Sequence, residues 1–366
     1  MKKQAKEKKG KQDNILSEIN KYRKSYGMGG ISSVMLNGIS YFLGRNPIRG
    51  PIYVGWEITW RCNARCEYCN RWGIGKKETS KEEALKVINE IGDMGCSILS
   101  LTGGEPLLRD DIGALIREAK SRDISVNINT NGSLLKQKAK ELVDAGTDVI
   151  TVSVESHNPK THDSIRRVDG LFRRLAEGIE EIKRLRTGDK PNIKVRANIS
   201  ASNYTQLDMF IDHWSGKVDE IVLQPIHEEI RNAFTVPEKM KFSSKEKENF
   251  IKYFNKMHEK YPWLANQYYR EFPAFFFDLK GLKEKYKCFA GYFFFQLDPE
   301  LNVYPCAAYM HKVGNLKDSS IKDLWKSDRM KTFRKKLKRK ENSCMCWYNC
   351  NGTLNCYLNK TLGKIS

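Results

Sequence analysis

From Val54 to about Ile226 the chain repeats one unit, an apolar strand-like run followed by a helical stretch, and that repetition constrains the fold more than any other feature. Strands are expected near Trp56 to Trp60, Ile98 to Thr102, Ser125 to Thr130, Val149 to Val154, Lys194 to Ser200 and Glu220 to Pro225. The stretch Lys81 to Met94 is a clear helix between them, because Ser80 and Glu83 form a capping-box pattern at its start and Gly95 stands at its end. Strands alternating with helices imply an α/β fold, a parallel sheet with helices packed outside it.

The alternation inside the strands adds a second constraint. A sheet covered by helices on both faces should be apolar on both. Here Val126 and Ile128 alternate with Asn127, Asn129 and Asn131, and Ile150, Val152 and Val154 alternate with Thr151, Ser153 and Glu155. Val195, Ala197 and Ile199 likewise alternate with Arg196, Asn198 and Ser200. One face therefore meets helices and the other a solvated chamber. A closed eight-stranded barrel fills its interior with bulky side chains, whereas about six repeats leave a curved, partial barrel with room for ligands.

After the first expected strand comes Cys62-Asn63-Ala64-Arg65-Cys66-Glu67-Tyr68-Cys69, three thiols in a CxxxCxxC spacing. Three cysteines on one loop can each reach a different iron of a cubane cluster and leave the fourth iron without a protein ligand. A structural zinc site wants four ligands in a closed tetrahedron, and no His or fourth Cys lies within a few residues. A disulfide cannot use all of an odd set of thiols. Spacing favours the open-iron cluster, and zinc stays open at this point.

Gly103-Gly104-Glu105-Pro106 follows the apolar run Ile98 to Leu101, where a strand ends and a turn begins. CxxxCxxC and then GGEP, in that order on successive strands, resemble the radical S-adenosylmethionine (SAM) superfamily. The resemblance implies a partial (β/α)6 TIM-like barrel and a [4Fe-4S] cluster on Cys62, Cys66 and Cys69 as the catalytic centre. It implies that SAM chelates the open iron and is reductively cleaved to a 5′-deoxyadenosyl radical, and that a low-potential electron donor of the flavodoxin or ferredoxin type serves the cluster.

Matching positions carry the implied SAM contacts. Tyr68 falls beside the nucleoside, Gly103 and Gly104 near the amino group, and Glu105 and Pro106 in the turn that holds them. Asn131, Ser153 and Glu155 lie at the ends of the third and fourth strands, and Arg166 matches the arginine placed near the SAM carboxylate. Arg196 faces the same chamber. Family members often carry Gly after that arginine, and here the residue is Arg167.

The last eighty or so residues hold a second group of thiols. Cys288 and Cys306 flank an expected hairpin, Tyr292 to Leu297 and Asn302 to Tyr304, and Cys344, Cys346, Cys350 and Cys356 crowd near the end. This region resembles the SPASM and twitch extensions of radical SAM enzymes, which implies one or two auxiliary iron-sulfur clusters in a small Cys-rich α+β domain. Leu301 stands where that pattern usually has Gly, and the terminal cysteine spacing departs from the usual one. One cluster is the simpler reading, with zinc as the alternative because thiolate-rich tetrahedral sites suit it too. The basic run Arg334 to Lys340 reads as the solvated face of a helix.

Four regions follow: a basic extension with an apolar helical segment (1–51), the SAM core (52–227), an aromatic-rich helical linker (228–287) and the auxiliary-cluster domain (288–366). The ten cysteines cluster rather than spread, which points to metal ligation in a reducing compartment, and the cytoplasm is expected. Residues 1–24 are Lys- and Gln-rich without the pattern of a signal peptide.

From Ile31 to Leu43 apolar residues recur at helical spacing. That segment either plugs the barrel or lies on the inner membrane surface as a peripheral contact. A formal charge of +20 suits phosphate, nucleic acid or anionic lipid without choosing among them.

The basic tail, the apolar segment and the aromatics between Tyr253 and Phe277 point to a lipid or isoprenoid substrate. A ribosomal peptide or a cofactor precursor is the alternative. From another class comes a non-enzymatic zinc or iron-sulfur protein that binds nucleic acid, which would not need the GGEP turn.

Overall fold

The structure, a computed structural model, describes residues 32–75, 77–227, 234–309, 311–341 and 346–362. The expectations for residues 1–24, Ile31 and Cys344 lie outside them, as does the side chain of Cys350.

Six parallel strands follow one another in chain order: β1 (Tyr53–Thr59), β2 (Ile98–Gly103), β3 (Ser125–Thr130), β4 (Val149–Ser153), β5 (Asn192–Ile199) and β6 (Glu220–Pro225). Helix α1 (residues 32–42) precedes them. Between and after the strands come α2 (Lys81–Asp93), α3 (Ile112–Ser121), α4 (Leu135–Asp144), α5 (Pro159–Arg166), α6 (Leu171–Leu185) and α7 (Leu207–Trp214). Helix α2 starts as expected: Ser80 accepts the Glu83 N–H while Glu83 accepts the Ser80 N–H, which satisfies two amides the helix itself leaves unpaired.

The sheet continues past β1. β7 (Phe294–Leu297) pairs with β1 in parallel, and β8 (Asn302–Tyr304) and β9 (Gly314–Asn315) add antiparallel strands. Among the described residues the order across the nine strands is β6-β5-β4-β3-β2-β1-β7-β8-β9, with β6 and β9 as edges. The barrel is therefore partial, and the hairpin of the Cys-rich region is built onto its sheet.

Four helices, α8 (Lys247–Lys260), α9 (Gln267–Arg270), α10 (Phe272–Phe277) and α11 (Leu279–Lys285), bridge β6 to β7. The chain ends with α12 (Ile321–Lys326), α13 (Asp328–Lys338) and α14 (Asn349–Leu362). Both α10 and α14 pack on β6, so the C-terminal region touches the sheet from both of its ends.

The strand alternation is realised as read. Val126, Ile128, Ile150, Val152, Val195 and Ala197 are fully buried in the main core, and their polar neighbours Asn127, Asn129, Thr151, Ser153, Arg196 and Asn198 line an internal chamber. Fully burying each large aliphatic side chain is worth about 1.5–3 kcal/mol, so the outer face sets the register and leaves the inner face free for chemistry.

Most of the aromatic stretch packs on the core, and Trp263 stays exposed. Phe254, Tyr268, Tyr269 and Phe272 are buried, and no aromatic between Tyr253 and Phe277 lines the chamber.

One expectation is corrected here. Arg334 does not lie on a solvated face: it is buried on α13, with its guanidinium 4.6 Å from the Trp325 ring and 5.6 Å from the Tyr292 ring. Its Nε donates to the Gly291 carbonyl at 2.6 Å. An arginine beside two rings can leave water because the flat, weakly hydrated guanidinium stacks on them.

Candidate functional site

The chain leaves β1 at Thr59 and turns at once into the cysteine loop, which is held by backbone bonds to three other segments. Arg65 and Glu67 donate to the carbonyls of Arg166 and Ile165 at the end of α5, and the Thr235 N–H donates to the Tyr68 carbonyl. The GGEP turn after β2 closes on the loop's entry: Gly104 N–H donates to Thr59 O and Glu105 N–H to Arg61 O, each at 2.8 Å.

The two glycines are required by that contact. Gly103 has φ +123°, and a Cβ on Gly104 would lie 2.1 Å from the Arg61 carbonyl oxygen. Side chains there would push the GGEP turn off the cysteine loop. Both glycines also face the chamber, so backbone rather than side chain forms that stretch of wall.

Glu105 is fully buried and serves the turn. Its Oε1 accepts from the Leu107 N–H at 3.0 Å and the Thr130 hydroxyl at 2.7 Å, and Oε2 accepts from the Asn131 N–H at 2.7 Å. Neither Glu105 nor Pro106 lines the chamber. Asn131 does, and it donates to Asn63 of the cysteine loop at 2.9 Å, which ties the end of β3 to the thiols.

A buried polar knot backs the loop from the other side. The Tyr68 hydroxyl donates to Glu155 Oε1 at 2.7 Å, Arg166 Nη2 donates to the same oxygen at 2.5 Å, and Asn198 donates to Tyr68 Oη at 3.1 Å. Arg166 Nη1 points at Cys66 Sγ, 3.5 Å away. Arg166 is thus committed to Glu155 and a thiol. Its neighbour Arg167 keeps the left-handed turn that Gly often supplies there, with φ 53° and ψ 46°.

Arg196 is placed differently. Its Nη1 donates to Asn129 Oδ1 at 3.0 Å and Nη2 to Ser153 Oγ at 3.1 Å, while its buried Nε has no partner. Among the described residues only uncharged groups hold this cation in the chamber wall, which leaves it able to meet an anion.

Cys62, Cys66, Tyr68, Cys69, Gly103, Gly104, Asn131, Ser153, Arg166 and Arg196 all line one chamber of about 670 Å³. Glu155 lies behind it, and none of Cys288, Cys306, Cys346 and Cys356 reaches it. Burial pushes the Cys62 thiol up to about 11 and raises Cys69 as well, against the lowering charge of Arg71. Three thiols on one loop facing a common cavity, none in a disulfide, are a soft donor set that fits an iron-sulfur cluster. Binding must release their protons.

Sequence reasoning missed a second charged feature of the wall. Glu57 on β1 is buried and paired with Arg71 just past the third cysteine, Nη1 to Oε2 at 2.5 Å, with Gln296 of β7 beside it. The signal was present: Gly55, Glu57 and Thr59 alternate with Val54, Trp56 and Ile58, the same rule that exposed the other strands.

Near Cys346, Trp347 is fully buried. Its backbone N–H donates to His227 Nε2 at 3.0 Å and its indole N–H to Tyr268 O at 3.0 Å. Burial pushes the Cys356 thiol up to about 12, with Glu271 acting the same way.

A partial parallel barrel with a thiol loop at the carboxyl end of its first strand defines an enzyme that houses a cluster and a ligand in its interior. Residues 56–194 match the radical SAM superfamily model, and residues 288–351 match a model described as an iron-sulfur cluster-binding domain of the SPASM type. Residues 56–194 thus form a radical SAM domain and residues 288–351 a SPASM domain, and these families bring [4Fe-4S] clusters and SAM with them.

Among curated relatives, a probable GTP 3′,8-cyclase of Thermococcus kodakarensis is 36% identical over 147 residues, which is 39% of this chain and 48% of the relative. The AdoMet-dependent heme synthase of Methanosarcina barkeri is 34% identical over 161 residues, 43% of this chain and 45% of the relative. The chain therefore spans about half the length of the curated relatives it matches. Among solved structures, Streptococcus suis SuiB bound to S-adenosylmethionine superposes with a TM-score of 0.61 at 16% identity, covering 78% of this chain and 68% of SuiB. The anSMEcpe structure with bound AdoMet gives 0.58 at 14% identity, covering 86% and 98%. These likenesses concern the fold.

Proposed function

We propose that the chain binds a [4Fe-4S] cluster through Cys62, Cys66 and Cys69, holds SAM against it, and removes a hydrogen atom from a polar substrate in the chamber. The observation that carries this is the convergence of all three thiols and the GGEP backbone on one cavity. When bound and reduced by an outside donor of flavodoxin or ferredoxin type, the cluster supplies the electron that splits SAM into methionine and a 5′-deoxyadenosyl radical.

The chain's own residues bind, aim and shield. Gly103 and Gly104 leave backbone groups open toward the SAM amino end, and Tyr68, fixed by Glu155 and Asn198, gives the nucleoside side a rigid wall. Glu105 and Pro106 act behind the wall by keeping that turn in place. Asn131 and Ser153 offer hydrogen bonds at the strand ends, where barrel ligands sit. Arg166 steadies the loop through Cys66, and Arg196, with no acid paired to it among the described residues, receives a carboxylate or phosphate. The C-terminal region, through Cys288, Cys306, Cys344, Cys346, Cys350 and Cys356, holds one or two auxiliary clusters.

The chamber speaks for a substrate with a polar, anionic part: Asn127, Asn129, Asn198, Gln224, Gln296 and Arg196 line it, and the aromatic stretch does not. A lipid or isoprenoid substrate fits if its head group is what enters. A cofactor precursor fits the same wall, and relatives named GTP 3′,8-cyclase and heme synthase support that second reading.

The test is anaerobic reconstitution with iron and sulfide, followed by SAM and a strong reductant, with 5′-deoxyadenosine read by mass. The nucleoside should form in the wild type and disappear in the Cys62→Ala/Cys66→Ala/Cys69→Ala variant. A cluster-loaded wild type that neither binds SAM in a titration nor cleaves it overturns the proposal.

A further inference from the structure

Nine large apolar side chains stay exposed among the described residues, and the four most exposed lie close together in the chain: Met35 at 60%, Ile39 at 50%, Leu43 at 61% and Ile48 at 67%. Met35, Ile39 and Leu43 are spaced by four along α1 and its last turn, which puts them on one face. A surface helix ordinarily buries its apolar stripe and shows water its polar side. Helix α1 packs Val34, Tyr41 and Phe42 on the core but leaves a second apolar stripe in water.

Its buried face is mixed, with polar side chains beside Tyr41. Ser33, Asn37 and Ser40 are all buried, and Asn37 accounts for the orientation. The Asn37 amide donates to the carbonyls of Gly50 at 3.1 Å and Tyr292 at 2.9 Å, and its Oδ1 accepts from the Arg49 N–H at 2.9 Å. Tyr41 adds a ring contact 4.5 Å from Phe289 and another 4.9 Å from Tyr292. These contacts fix which way the helix faces, so the apolar stripe points outward by construction and is not left over from loose packing.

The rim of the stripe is basic. Lys287 Nζ lies 4.7 Å from the Phe42 ring and Lys338 Nζ 5.1 Å from the Tyr41 ring, and exposed Arg45 and Arg49 follow the helix. None of these four has a carboxylate partner among the described residues. The 31 residues before α1 add nine lysines and arginines against three acids.

We propose that α1 docks this chain on an anionic lipid bilayer, with Met35, Ile39, Leu43 and Ile48 entering the acyl boundary and the four cations meeting lipid phosphates. Apolar insertion and attraction to acidic head groups reinforce each other in such a contact. A second copy of the chain is a poorer occupant, because a two-fold contact about this stripe would bring one basic rim against another. Asn37 ties α1 to the chain just before β1, at the end of that strand remote from the cysteine loop. Docking therefore leaves the thiol end of the barrel open. The inference stands whether or not the substrate is a lipid, and its test needs no cluster.

The experiment is flotation of the full chain with vesicles of phosphatidylglycerol and phosphatidylcholine, and with phosphatidylcholine alone. Wild type should float with the acidic vesicles only, and 0.5 M salt should reduce the bound fraction several-fold. The Met35→Ser/Ile39→Ser/Leu43→Ser variant should bind at least tenfold less at an unchanged thermal midpoint, since the three side chains are exposed. Should that variant misfold, Arg45→Gln/Arg49→Gln/Lys287→Gln/Lys338→Gln probes the rim alone and should also lose at least tenfold. Absence of wild-type flotation overturns the proposal, as does flotation of a folded triple-serine variant at the wild-type level. It is equally overturned if light scattering finds a dimer that the serine changes dissolve without vesicles.

Discussion

The two thiol-rich regions are assembled in opposite ways. Cys62, Cys66 and Cys69 come from one short loop, and backbone bonds to α5 and to the GGEP turn orient them together. The C-terminal cysteines come from separate places, before β7, after β8, and before and within α14. They depend on the β7–β8 hairpin joining the sheet beside β1 and on the seating of Trp347. A local loop can be read from spacing, whereas a site gathered from distant elements exists only after the fold does.

The buried arginines of the two regions offer the largest test of that difference. Arg166 is paired with Glu155, so Arg166→Met strands a buried carboxylate and should cost about 3–5 kcal/mol. Among the described residues Arg334 has rings, a carbonyl and Asn46 around it and no acid, so Arg334→Met strands no charge and should cost about 1–2 kcal/mol. Urea unfolding reads both. Equal costs would mean that the two arginines do the same work and that the contrast is only one of sequence.

Each region also leans on a neutral histidine, which sharpens the comparison through pH. His162 accepts the Glu155 N–H behind the cysteine loop, and burial holds its pKa down to about 3. His227 accepts the Trp347 N–H beside the C-terminal region, and burial holds it down to about 4. Folded-state values below the ordinary 6.5 mean that the unfolded chain binds the protons first. Their stabilisation is intact above pH 6.5 and is lost as pH falls, at about 1.4 kcal/mol per unit for each histidine, until each folded value is reached. Stability measured from pH 7 to 5 should fall accordingly. His162→Gln and His227→Gln should each flatten the slope, and a profile that neither variant changes would break the account.

The fold was legible wherever one rule acted alone. Period-two alternation located the chamber, because burial against helices decides each outward residue. The same rule reaches Glu57, which alternates with Val54, Trp56 and Ile58 along β1. Arg334 was not legible: a basic run reads as solvated, and the two rings that shelter this member of it come from residues 292 and 325. Asn37 is similar, since nothing in its neighbourhood in sequence reveals that Tyr292 supplies a carbonyl to it. Spacing marks the three thiols as a set, yet it does not show that Arg166 is engaged by Glu155 while Arg196 has no acid paired to it among the described residues.

The smallest effect is the most discriminating, because its sign differs between the two regions. Arg167, after α5, and Leu301, in the β7–β8 turn, both stand where glycine is common, and both hold a left-handed backbone, at φ 53° and 67°. A side chain in that conformation costs on the order of 1–2 kcal/mol, and glycine gives part of the relief back through a freer unfolded chain. Arg167 is exposed, so Arg167→Gly should stabilise by about 0.5–1 kcal/mol. Leu301 is 2% exposed in the main core, and losing a buried leucine outweighs the relief, so Leu301→Gly should destabilise by about 1–3 kcal/mol. Opposite shifts of the urea midpoint at constant slope would show that the two positions keep non-glycine residues for different reasons: Leu301 because the hairpin needs its side chain for the core, Arg167 because nothing around the α5 turn requires more than the turn itself. Shifts of the same sign would place a hidden contact on Arg167.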